Sequence, residues 1–158
     1  MQQRTVALAD VIRNLSHQLH PGVLQHGGLV AALKGHCNEF SRQHGIEVTL
    51  SMPEGINGVP TDIALCLYRV AQEALQNIAQ HARAHEVKVT LKSSADEIEL
   101  AIADDGKGFL FDNARSAGGL GLISLDERVR LLGGGLEINS ELQHGTELRA
   151  LVPLRRNP

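Results

Sequence analysis

Glu73 and Asn77 stand four apart in Tyr68–Ala82, a stretch that contains neither Gly nor Pro. At 100° per residue, Glu73, Asn77 and Gln80 fall along one flank of the apolar stripe Ile63, Leu67, Val70, Ala71, Ala74 and Ile78. A carboxylate and a carboxamide therefore share one edge of a buried helix. A Glu on a helix is commonly no more than a solvated face. Asn, however, competes with the helix backbone for hydrogen bonds, so its place at mid-helix asks for a reason. Hard cations such as Mg²⁺ take oxygen ligands, a few from protein and the rest from water and phosphate. Asn77 can supply one such oxygen. Glu73, one turn earlier, can polarise a nucleophile or order a water on the metal.

Two glycine-rich stretches come next. Asp104-Asp105-Gly106-Lys107-Gly108 follows an alternating apolar run, and Gly118-Gly119-Leu120-Gly121-Leu122 opens a helical one. Asp and Gly are default turn residues, which gives the first stretch a purely local reading. Its other reading is a nucleobase pocket, in which a buried carboxylate accepts a hydrogen bond from a flat amino heterocycle and two glycines leave room for the ring. Gly119-x-Gly121 before a helix is either a surface turn or a phosphate cradle, where close-approaching backbone amides and the helix dipole meet the anion. No Gly-Lys-Ser/Thr follows, so it is not a Walker sequence. Lys107 and Arg115 can neighbour a phosphate, although solvated surface charge is the plainer reading of both.

The chain has 8 His and 2 Cys. His81 and His85 lack the Glu that follows the first His of a zinc-protease helix, and Cys37 and Cys66 form no Cys-x-x-Cys pair. They read as individual side chains and as reduced, buried thiols.

The elements that must carry these residues follow from periodicity. Val6, Ala9, Ile12, Leu15 and Leu19 recur at helical spacing and stop at His20-Pro21-Gly22. A second helix is predicted over about 29–43, then Gly45 and a strand through Ile46, Val48 and Leu50. The loop 52–60 holds Pro53, Gly55, Gly58 and Pro60, after which Thr61 or Asp62 can cap a long helix to about Ala82. Strands through Val87–Leu91 and Ile98–Ile102 form a hairpin around Ser93–Asp96. A helix from about Leu122 to Leu132 is stopped by Gly133–Gly135, and strands 136–140 and 146–154 flank a turn at Gln143-His144-Gly145. Consecutive strands with short turns, interleaved with helices, predict an α+β fold: a two-layer α/β sandwich whose mixed, mostly antiparallel sheet is covered by helices on one face.

Length and composition bound the answer. With 158 residues, 42% apolar and 21% charged, the chain suits one soluble globular domain. A net charge of −3 gives no broad basic surface for nucleic acid. The absence of a long apolar run, and of an apolar leader after Met-Gln-Gln-Arg-Thr, gives the expectation of a cytoplasmic domain.

Taken together, the order of the motifs resembles the GHKL ATPase family: Glu73-x-x-x-Asn77 on a helix, Asp104-x-Gly106-x-Gly108 after a strand, Gly119-x-Gly121 opening a helix, and Gly145-Thr146 before the last strand. Tyr68–Ala82 is similar to the asparagine box of sensor histidine kinases. Gly119-Leu-Gly-Leu-Ile-Ser-Leu-Asp-Glu-Arg128 is similar to the second glycine box of their nitrate-sensor and membrane-fluidity-sensor branch. The resemblance spans about 28–154 and implies a Bergerat-type ATP fold with ATP and Mg²⁺ as its ligands. It implies that Asn77 binds Mg²⁺, that Glu73 assists phosphoryl transfer and that Asp104 holds the adenine amino group. Gly106 and Gly108 would border the base. Gly119, Leu120, Gly121 and Leu122 would meet the phosphates, and Thr146 would reach the adenine side through water. Residues 109–117 would be a short lid.

A histidine kinase also needs a helical hairpin with a phosphoacceptor His, and Ile12–Pro21 resembles only the end of its second helix. The expected division is 1–21, a hairpin remnant, and 22–158, the ATP-binding catalytic domain. His17 as the acceptor is disfavoured by Gln18, where an acidic neighbour is usual, and by nearby Pro21. The implied partners are the hairpin of the same kinase and a response-regulator receiver domain. The fragment itself would be a monomer or weak dimer and the parent a homodimer. A non-enzymatic nucleotide-binding module and an anti-sigma-factor serine kinase are the competing readings. Glu73 favours catalytic ancestry over the first, and the remnant favours histidine over serine for the second.

Overall fold

The structure, a computed structural model, describes residues 22–109 and 119–154. The helix expected before Pro21, the acceptor candidate His17, and Arg115 with the lid beyond Phe109 lie outside the described residues.

Helix α1 (Gly22–His44) is two helical pieces joined at Gly28, whose φ of 74° and ψ of −178° only glycine adopts readily. Its Leu29, Ala32, Leu33, Cys37 and Phe40, at helical spacing, are buried. Gly45 in a left-handed turn then leads into strand β1 (Glu47–Ser51). Helix α2 (Thr61–Asn77) buries Ile63, Leu67, Val70, Ala71 and Ala74. Contrary to the sequence reading, neither Thr61 nor Asp62 caps it. The N-cap is Pro60 and makes no side-chain cap, while Asp62 Oδ1 accepts the Ile63 N–H at 2.9 Å. The expected continuous helix to Ala82 also changes form at Ile78, where a π-helix (Ile78–Ala82) takes over and ends at Arg83 in the left-handed conformation, φ 51°.

Strands β2 (Glu86–Ser93) and β3 (Glu97–Asp104) form the expected hairpin. Helix α3 (Gly119–Leu131), strand β4 (Gly135–Glu141) and strand β5 (Gly145–Pro153) complete the chain. The sheet order is β1-β2-β3-β5-β4. Only β1 and β2 run parallel, joined by the α2 crossover; the other pairs are antiparallel. In register, Val89 faces Ile102 and Ile102 faces Leu148, while Leu91 faces Leu100 and Leu100 faces Ala150. These buried rows form one face of the sheet, and α2 and α3 pack on it. Cys37 and Cys66 are free and buried in this core, as expected. The same register sets Asp104 opposite Thr146 at one end of the sheet, beneath the C-terminal end of α2.

Candidate functional site

A cavity of about 530 Å³ opens at that end of the sheet. Asn77 and Ile78 at the junction of α2 and the π-helix form one wall, with His81 and Ala82 beyond them. Ile102, Asp104, Thr146 and Leu148 of β3 and β5 form the floor, and Leu122 of α3 closes a side. Most of this lining is aliphatic, with a few polar groups, a combination suited to a flat, partly apolar ligand. A π-helix is rare and often marks a functional site. Here its wider turn carries His81 and Ala82 to the cavity wall.

The two aspartates after β3 divide the two readings between them. Asp105 ties the turn: its Oδ1 accepts the N–H groups of His85 (2.8 Å) and Glu86 (3.0 Å), and its own N–H donates to Glu86 O at 3.2 Å. These bonds, the Glu86 one foremost, hold its carboxyl below the ordinary value. Asp104 lines the cavity, and its Oδ1 accepts the Gly106 N–H at 2.8 Å. Burial pushes its carboxyl above the ordinary value, outweighing the Gly106 hydrogen bond that pulls it down.

The glycines are needed where the chain passes itself. Gly106 is buried against Ala82 rather than facing the cavity, and the next residue's N–H (Lys107) donates to Ala82 O at 2.8 Å. Gly108, at φ 62°, does line the cavity, and a Cβ there would overlap the Glu141 carbonyl oxygen. On α3, a Cβ at Gly121 would overlap Glu73 Oε1, so the missing side chain is what lets the Glu73 carboxylate reach the first turn of that helix. The structure therefore brings Asn77, Asp104, Gly108, Leu122 and Thr146 to one cavity and sets Glu73 against Gly121 beside it. Gly119 and Leu120 form the first turn of α3.

Further contributors join the site beyond the roles expected from the sequence. Gly145, at φ 85°, lies against the Asp104 backbone carbonyl, where any Cβ would overlap it. Ser140 Oγ and Thr146 Oγ1 are 2.7 Å apart, and Ser140 Oγ also accepts the Phe109 N–H at 2.9 Å, which fixes the start of the segment after Gly108. The turn spans 142–144, one residue earlier than the turn read at Gln143–Gly145, and it is this shift that pairs Ser140 with Thr146. Lys107, read as a solvated charge, is exposed yet contributes to the cavity lining, as does His81. Among the described residues no cluster of three His, Cys, Asp or Glu could hold a metal. The side-chain oxygen of Asn77 fits a Mg²⁺ that takes most of its ligands from phosphate and water, with Glu73 one turn earlier on the same helix.

Residues 62–156 match the family model described as "Histidine kinase-, DNA gyrase B-, and HSP90-like ATPase". The chain is 38% identical over 148 residues to the sensor histidine kinase MctS of Rhizobium johnstonii, covering 92% of this chain and 32% of that protein. It is 33% identical over 147 residues to the oxygen sensor histidine kinase NreB of Staphylococcus carnosus, covering 93% of this chain and 42% of that one. The chain thus spans well under half the length of these curated relatives. Among solved structures, the histidine kinase domain of a blue-light activated histidine kinase from Erythrobacter litoralis superposes with a TM-score of 0.68 at 24% identity, over 80% of this chain and 61% of that one.

Proposed function

The chain belongs to the family of histidine kinase-, DNA gyrase B- and HSP90-like ATPases, and on that premise we propose that it is the Mg-ATP-binding catalytic domain of a two-component sensor histidine kinase. Residues 22–158 form the ATP-binding unit, and 1–21 continue a hairpin that presents the phosphoacceptor His. The γ-phosphoryl group passes to that His and then to an aspartate of a response-regulator receiver domain.

The observation that carries this reading is the meeting of Asn77, Asp104 and Thr146 on one mostly apolar cavity, with Glu73 lodged against the first turn of α3. Asp104 accepts a hydrogen bond from the adenine amino group, and Thr146 reaches the base through water. Gly108 lies beside the base. Gly106 acts from behind, by letting the loop close on Ala82. The amides of Gly119, Leu120, Gly121 and Leu122 offer the positive end of α3 to the phosphates. Asn77 supplies a protein oxygen to Mg²⁺, which neutralises phosphate charge when bound. Glu73 orders the attacking group, and phosphoryl transfer needs little more than such positioning and charge neutralisation.

The test is a pair of measurements. Mg-ATP analogue should raise the melting temperature of the chain, and phosphohistidine should form when the domain acts on its hairpin with labelled ATP. No thermal shift would overturn nucleotide binding. A shift without phosphohistidine would favour a nucleotide-binding regulatory module.

A further inference from the structure

Arg69 lies one turn before Glu73 on α2, and Arg128 lies two turns after Gly121 on α3. The two helices pack together, and Glu73 touches Gly121. Arg128 acts electrostatically on both Arg69 and Cys66, one turn further back on α2. The helices therefore run antiparallel, and the two guanidinium groups share the seam between them. Arg69 is half-buried, and its Nε is buried without a hydrogen-bond partner. Among the described residues the ion pairs are Arg42 with Glu39, Arg130 with Asp126 and Arg149 with Glu147, so neither seam arginine is held by a carboxylate. Burial, and then the Arg128 charge, pushes the Arg69 guanidinium below its ordinary value.

Two like charges brought together, one with a dry donor, make an arrangement that an anion completes. Neither residue lines the cavity, and both lie further along the seam than the contact of Glu73 with Gly121. The seam runs on from Glu73, which the kinase reading places beside the attacking group, so a group docked on it is held next to the point of transfer. We propose that Arg69 and Arg128 form a docking site for an acidic side chain of the phosphoacceptor hairpin, and that they act as positioning residues for phosphoryl transfer. The guanidinium fork suits a carboxylate, which can take two parallel N–H···O bonds and satisfy the buried Nε. The proposal rests on the kinase reading above.

The experiment uses the full-length kinase with Arg69→Gln, Arg128→Gln, the double substitution and Arg69→Lys. It reads the dissociation constant for Mg-ATP analogue, the melting temperature, and the autophosphorylation rate from about 0.05 to 0.3 M salt, a range over which exposed charge pairs are progressively screened. The double variant should keep nucleotide affinity within about twofold and lose about tenfold or more in rate, the scale of one broken charged contact. The unmodified kinase should slow as salt rises, and the double variant should lose that decline. Arg69→Lys should recover part of the rate, having the charge without the fork. An unchanged rate in the double variant, or a lower rate that keeps its salt dependence, overturns the docking site while leaving the kinase reading intact. Failure of the unmodified kinase to bind the analogue or form phosphohistidine overturns both.

Discussion

Asp104 holds its proton more firmly than an ordinary aspartate because the floor of the cavity is poorly solvated. The sign of the consequence follows directly. A carboxyl raised in the folded state costs stability when charged; the cost is absent below the unfolded-state value of about 4 and fully present above the raised one. Asp104→Asn keeps the oxygen that accepts the Gly106 N–H and removes the charge. It should melt at or above the temperature of the unmodified chain near pH 7, converge with it in acid, and bind adenine nucleotide more weakly; calorimetry across pH and a binding titration test this. The unmodified chain should itself lose affinity as pH falls through the raised value. Glu73→Gln should leave nucleotide affinity unchanged and slow phosphohistidine formation by about 10²- to 10⁴-fold, the range of a lost general-base contribution. Gly121→Ala should displace the Glu73 carboxylate and slow the reaction by about 10²-fold at similar affinity, and an equal rate would separate Glu73 from the chemistry. Asp104 and Asn77 could be singled out because each combines a notable residue type with a definite place on an element, whereas Thr146 came only from the order of the family motifs. Lys107 was weighed as a phosphate neighbour but read as solvated charge, and Ser140 was not singled out, since a lysine and a serine beside turns have many solvated uses.

The elements themselves were legible from period and punctuation. β2, β3 and β5 alternate cleanly, and α2 has a continuous apolar stripe. The π-helix was not legible, because its composition is that of any helix. It arises where the chain must carry both Ile78 into the core and His81 to the cavity wall. The N-cap was misplaced for a related reason: Pro60 fixes the entry to α2 by its φ of −53°, so no side-chain cap is used. Gly108 is an element-scale requirement, since it lets the loop after β3 pass the end of β4. Gly108→Ala should cost at least about 1–2 kcal/mol for the left-handed backbone alone, with the overlap on Glu141 added, and a urea titration showing no loss would contradict this packing.

At the scale of the whole molecule, the layers and the succession of elements along the chain were read correctly, because hairpins and a crossover leave few arrangements. The insertion of β5 between β3 and β4 depends on long-range register and was not foreseen. On the proposed reading binding couples these parts: at 100 times the dissociation constant, Mg-ATP analogue should add about 2.7 kcal/mol of stability. That corresponds to a shift of several degrees at about 2 to 4 °C per kcal/mol. Asn77→Ala should abolish the Mg²⁺-dependent part of the shift, as a melting series with and without the metal would reveal. The placement of β5 also has a consequence for synthesis. It follows every other strand in sequence, yet β4 pairs with nothing else and Asp104 meets Thr146 only through it. A nascent chain that has emerged only as far as Glu141 has the helix bearing Asn77 and the strand bearing Asp104, but no closed floor between them. On the proposed reading, nucleotide stabilises only chains that have released their final strand, and the early stages of folding on the ribosome go forward without it.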